Sequence, residues 1–286
     1  MSLITRIDNF RKKYYKRGIT INDVSMSYYL CGKGSHVLVL LAGDIGMPEQ
    51  WINYIEDLSG VYRILVPSYP TGIGTTEELC GALGTLLRYL HIDRAVFVGD
   101  SYGAYLAQLM AIRYPEITEG LCLLSAAGLQ EETLKALGKG RGKLRRQAMA
   151  QRLVSSETIR AAARKQFLDA AEAAGCEEIS EMGLFWDEVC RDLDRKASQH
   201  MLALRSDIPD LPPCTDEQFA YLDRRVFLAL PDNDEVYDTQ MQLDLIADMP
   251  RPKIQNGITS GHLSPLFQTE DIIAGLRRFL LTLDRE

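Results

Sequence analysis

A chain of 286 residues has room for one large domain carrying an insertion, or for two modest domains. Hydrophobic residues at 46% and charged residues at 25% are the mix of a globular protein, and a formal net charge of -7 argues against a general nucleic-acid binder, which needs a broad basic face. No run of about eighteen apolar residues is present, residues 1–18 lack the apolar centre of an export signal, and the six dispersed cysteines form no C-x-x-C pair, which predicts a cytoplasmic protein with reduced thiols and no membrane span.

In chain order, residues 11–17 form a basic cluster interleaved with Tyr14 and Tyr15, which reads as a solvated lead-in. Residues 24–30 alternate like an edge or hairpin strand. Residues 36–42 are nearly continuously apolar, the pattern of a strand covered on both faces. A helix over about 49–58 and a strand over 62–66 follow. Thr75 or Thr76 then caps a helix running to about 90, with Glu77 and Glu78 at its positive end. Residues 95–98 predict another buried strand, residues 104–112 a helix, and 120–124 a further strand. This alternation predicts an α/β fold built on a mostly parallel, doubly wound sheet.

The alternation then stops. Residues 129–213 are rich in Ala, Glu, Arg, Lys and Leu, with helical patterns near 131–137, 143–153, 156–174 and 181–198, and Pro209, Pro212 and Pro213 bound the segment. This predicts a helical cap at 129–213, inserted after the sixth strand, between two parts of one core at 1–128 and 214–286. Residues 138–142, Gly-Lys-Gly-Arg-Gly, read as a flexible basic hinge, and they lack the G-K-[ST] ending of a phosphate loop. Alternation resumes with a strand over 225–230, a helix over 239–248, a weak strand near 252–256 and a terminal helix over 269–283.

The chemistry concentrates where strands end. Gly99-Asp-Ser-Tyr-Gly103 stands between the strand at 95–98 and the helix at 104–112, so Ser101 occupies a sharp strand-to-helix turn that only small flanking residues permit. Asp234, in Pro231-Asp-Asn-Asp234, and His262, in Thr259-Ser-Gly-His262, fall beyond later strands of the same sheet. A serine hydroxyl needs a neutral imidazole to take its proton, and the imidazole needs a carboxylate to hold its tautomer. These requirements predict Ser101 as nucleophile, His262 as base and Asp234 as orienting acid, with Asp232 a rival for the last role. The backbone N–H groups of Asp44 and Tyr102 are the predicted oxyanion donors. His36, His91 and His200 have no matching context and read as structural or surface residues.

On these motifs the chain resembles the α/β-hydrolase superfamily, in a form with a helical cap. The resemblance runs from the strand at 36 to the last helix: Gly99-Asp-Ser-Tyr-Gly103 is similar to the family's nucleophile elbow, Pro231-Asp-Asn-Asp234 to its acid turn and Gly261-His262 to its histidine loop. It implies a serine hydrolase whose cap covers the pocket. Tyr69-Pro70, the Leu-rich helix before the elbow and Ala104-Tyr-Leu-Ala-Gln108 are also similar to the maspardin branch, which is associated with binding rather than turnover. One departure stands out: the family commonly has His-Gly after the second core strand, and this chain has Ala42-Gly43-Asp44. A carboxylate there opposes a developing oxyanion unless it faces solvent, so Asp44 is expected to select a polar or cationic substrate group.

The expected function is hydrolysis of a small to medium carboxylic ester or related acyl compound, with no metal or organic cofactor. Phe167, Met182, Phe185 and Trp186 of the cap are expected to line the pocket. Thioester, C–C and peptide hydrolysis use the same residues on this fold and are not separated by it. The alternative is a hydrolase-like protein that binds a ligand or partner with little turnover. The sequence does not specify the oligomeric state.

Overall fold

The computed structural model describes residues 2–21 and 24–283. Eight strands form one sheet: β1 (Arg17–Ile21), β2 (Val24–Cys31), β3 (Val37–Leu41), β4 (Arg63–Pro67), β5 (Ala95–Asp100), β6 (Thr118–Leu124), β7 (Val226–Ala229) and β8 (Lys253–Ile254), in the order β1-β2-β4-β3-β5-β6-β7-β8. β2 pairs antiparallel with β1 and β4, and every other pair is parallel. The parallel strands therefore all end on one edge.

Why the central strands are apolar throughout is visible in where alternate residues go. Val37, Val39, Leu41, Phe97, Leu121, Leu123, Val226 and Leu228 join the core on one face, beneath α3 (Thr76–Tyr89) and α4 (Tyr102–Arg113). Leu38, Leu40, Val96, Val98, Cys122, Leu124 and Phe227 join the core on the other, beneath α1 (Leu3–Lys13), α2 (Ile52–Leu58) and α12 (Thr269–Leu283). A period of two directs each strand to two apolar layers, so polar residues fall at strand ends, as Asp100 does in β5 and Thr118 and Glu119 do in β6. The α3 start is a full capping box, with Thr75 and Glu78 each satisfying the other's backbone N–H.

Five helices lie between β6 and β7: α5 (Glu131–Gly138), α6 (Arg141–Gln151), α7 (Ser156–Ala173), α8 (Ile179–Val189) and α9 (Arg195–Asp207). α10 (Thr239–Asp248) connects β7 to β8, and α11 (Ser264–Phe267) precedes α12.

Three expectations need correction. The lead-in is not a free basic segment: Ile7 and Phe10 anchor α1 to the core, while Arg11 pairs with Glu188 and Lys16 lies 2.8 Å from Glu49 and 3.0 Å from Asp192. Arg11 and Lys16 are thus engaged by the protein's own acids while Lys12 and Lys13 stay exposed, and β1 begins at Arg17. The pattern at 181–198 is two helices, because Asp194 accepts from the Ala197 N–H at 2.7 Å and starts α9 afresh. The supposed hinge at 138–142 is only a tight turn at 139–140, with Gly142 already inside α6.

Candidate active site

Ser101 sits between β5 and α4 with φ 49° and ψ -112°, a conformation that L residues adopt only under strain. The two flanking glycines follow from it. A Cβ on Gly99 would collide with the Gly103 carbonyl, and one on Gly103 with the Leu41 carbonyl of the neighbouring strand. Tyr102 opens α4, so its N–H lies outside the helix's own hydrogen-bond ladder.

The Ser101 Oγ is 2.8 Å from His262 Nε2, and His262 Nδ1 is 3.0 Å from both carboxylate oxygens of Asp234. The Asp234 side chain is fully buried, and that of His262 is 8% exposed. Asp234 is itself held by the Val236 and Tyr237 N–H groups, which donate to its Oδ1 at 2.8 and 3.0 Å. The histidine loop is tied to the same turn: Gly261 N–H donates to Asn233 at 3.1 Å and His262 N–H to Glu235 at 2.9 Å. Asp232 is exposed and takes no part. Burial alone would lower the His262 pKa, but the Asp234 hydrogen bond and the charges of Asp234, Asp44 and Asp100 raise it above the ordinary value of 6.5.

Asp44 does not face away from the serine. Its Oδ1 lies 3.3 Å from Ser101 Oγ, within reach of the hydroxyl, and its Oδ2 is 2.7 Å from the guanidinium of Arg205 on α9. Within the protein, the cation that meets Asp44 is Arg205 of the inserted helices. Beneath the same loop, Gln50 donates to Asp100 at 2.8 Å and accepts from the Gly43 N–H at 3.0 Å. Tyr69 adds a hydrogen bond to the Ala42 carbonyl at 2.8 Å. Burial pushes the Asp100 carboxyl up to about 7, against the charge of His262 and the Gln50 hydrogen bond.

A cavity of about 990 Å³ opens between the sheet edge and the inserted helices. Asp44, Tyr102, Tyr105 and Tyr237 line it from below, and Lys143, Leu144, Arg146, Met201, Leu202 and Arg205 from above. Phe167, Met182, Phe185 and Trp186 do not line it. Phe167 stacks on Trp186 at 4.1 Å and meets Phe267 at 5.3 Å, so this group packs α7 and α8 against the core. Large apolar side chains on helix faces found a neighbouring hydrophobic layer before they found the cavity. His200 bonds to the Ile73 carbonyl at 2.8 Å and His36 lies 3.5 Å from Glu119, both away from the serine.

Gln50, Tyr105, Arg205 and Tyr237 escaped the sequence analysis. Only Tyr237 carried a signal, its place three residues after Asp234. No helix among the described residues is long and apolar enough to cross a membrane.

Sheet order, elbow and inserted helices together give the chain the α/β-hydrolase fold. Among solved structures it is similar to a hydrolase from Pseudomonas aeruginosa, with a TM-score of 0.72 and 18% identity over 93% of this chain and 98% of the other. The enol-lactonase from Burkholderia xenovorans superposes with a TM-score of 0.68 at 15% identity, over 93% and 100% of the two chains. In sequence, the 2-hydroxy-6-oxo-2,4-heptadienoate hydrolase of Pseudomonas putida is 26% identical over 133 residues, 42% of this chain and 48% of that one. The chain spans about half the length of the curated relatives it matches. No family model matches it. None of the proteins named here is a maspardin.

Proposed function

We propose that the protein is a serine hydrolase acting on a small to medium acyl compound through Ser101, His262 and Asp234. The relay from Ser101 Oγ to His262 Nε2 at 2.8 Å, and from Nδ1 to Asp234 at 3.0 Å, carries this reading. His262 takes the serine proton as Oγ attacks the acyl carbon, and Asp234 stabilises the imidazolium. The N–H groups of Asp44 and Tyr102 receive the oxyanion. His262 returns the proton to the departing group, then activates the water that releases the acid. Arg205 offsets the Asp44 charge close to the reacting atoms.

An anionic acyl compound fits best. Lys143, Arg146 and Arg205 face the cavity against a single carboxylate, Asp44, and the named relatives act on an oxo-dienoate acid or an enol-lactone. A second reading, ligand binding with little turnover, is favoured by Asp44 alone, which competes with His262 for the serine hydroxyl at 3.3 Å.

Intact-mass analysis after fluorophosphonate exposure separates the two. Hydrolysis predicts one adduct, absent in Ser101→Ala and greatly slowed in His262→Ala. An unlabelled wild type would favour binding. Because the base must be neutral, kcat/KM is expected to fall as pH drops through the His262 pKa, with a midpoint above the ordinary 6.5. A pH–rate profile checks this.

A further inference from the structure

Two tyrosine hydroxyls stand beside the nucleophile without a role in that mechanism. Tyr237 sets its ring edge against His262 at 5.2 Å, and its hydroxyl interacts with those of Ser101 and Tyr105. Tyr105, one turn into α4, meets the Tyr237 ring edge-to-face at 6.1 Å. They are only 3% and 4% exposed for Tyr105 and Tyr237 respectively, yet both line the cavity. The Tyr105 hydroxyl is buried with no hydrogen bond of ordinary geometry among the described residues. A buried hydroxyl without a full hydrogen bond is costly, and a ligand's acceptor atom relieves that cost.

The sheet order says which atom that is. β5 lies between β3 on one side and β6 and β7 on the other, so the backbone segments carrying Asp44, after β3, and Tyr237, after β7, reach Ser101 from opposite flanks. The oxyanion belongs to the Asp44 flank, where the Asp44 amide is. His262 and Tyr237 share the other, and that is where the leaving atom must be to collect its proton from His262.

We propose that Tyr105 and Tyr237 form a leaving-group subsite, donating hydrogen bonds to the oxygen of a departing alcohol, phenol or enol. This rests on the serine-hydrolase reading above. As the tetrahedral adduct collapses, the bond from the acyl carbon to the leaving oxygen breaks, that oxygen keeps the electron pair, and the His262 proton moves onto it. The tyrosine hydroxyls share their protons without giving them up. Burial raises both phenols above their ordinary range, so both remain protonated donors across the working pH.

The test compares phenyl acetate with p-nitrophenyl acetate in the wild type, Tyr237→Phe and Tyr105→Phe, reading kcat/KM, which reports acylation for both esters. A poorer leaving group relies more on donors at its oxygen. The ratio of phenyl to nitrophenyl kcat/KM should fall about 10-fold in Tyr237→Phe and about 3-fold in Tyr105→Phe, the scale of one hydrogen bond. A ratio unchanged from wild type in both variants overturns the subsite, whatever the absolute loss. A wild type inert to both esters and to fluorophosphonate would instead overturn the parent reading, and the subsite with it.

Discussion

Helices α4 and α6 are close in length, 12 and 11 residues, and opposite in environment. α4 buries every residue from Tyr102 to Ala111, pressed between the sheet and the surrounding helices, whereas α6 buries none. α4 carries the Tyr102 amide and Tyr105, while α6 brings Lys143 and Arg146 to the cavity mouth. Between Glu132 and Glu157 there is no acidic residue, so the loosely held wall is also the basic one. The elbow geometry is set in the close-packed layer, and the basic cavity wall sits where packing constrains little.

Substitutions sharpen that contrast. Replacing Asp234 with Asn should lower kcat by about 10⁴-fold on any hydrolysed ester, since the amide favours the wrong His262 tautomer. Steady-state kinetics on the purified variant reads this directly. Gly103→Ala should destabilise the fold by about 3 kcal/mol in urea denaturation, because its Cβ would press into the Leu41 carbonyl and neither backbone can yield. A midpoint near wild type would show that the elbow is less tightly packed than α4's burial implies.

At the boundary between the regions, Arg205→Met should cut kcat/KM on a neutral nitrophenyl ester about 10-fold, by leaving Asp44 uncompensated beside Ser101. Adding Asp44→Asn should restore most of the loss. Equal losses in the single and double variants would mean that Arg205 acts other than through Asp44. The smallest effect is expected on α6, where Met149 is 66% exposed and Met149→Ala should change stability by less than about 0.5 kcal/mol.

Much of the core was legible in the chain. The strands at 36–42, 95–98, 120–124 and 225–230 announced themselves because a strand buried on both faces admits polar residues only at its ends, and β3, β5, β6 and β7 lie there. α1 and β1 were missed. Two apolar anchors, Ile7 and Phe10, in a polar segment give too little periodicity, and the ion pairs that seat the helix join residues far apart in sequence. The helical segment was legible as helix but not as surface: its aromatic residues packed inward, and the cavity wall fell to Leu144, Met201 and Arg205.

Sequence alone determined the α/β alternation, the interrupting helices and the local turns that carry Ser101, Asp234 and His262. Tertiary structure decided everything that depends on two distant segments meeting. It set Asp44 between Ser101 and Arg205, tied Gly43 to Asp100 through Gln50, and brought Tyr105 of α4 against Tyr237 beside His262. A turn leaves its signature in neighbouring residues because backbone sterics are local. A charge pair or a shared cavity wall leaves none, because its geometry exists only once the sheet edge and the helices above it have closed on each other.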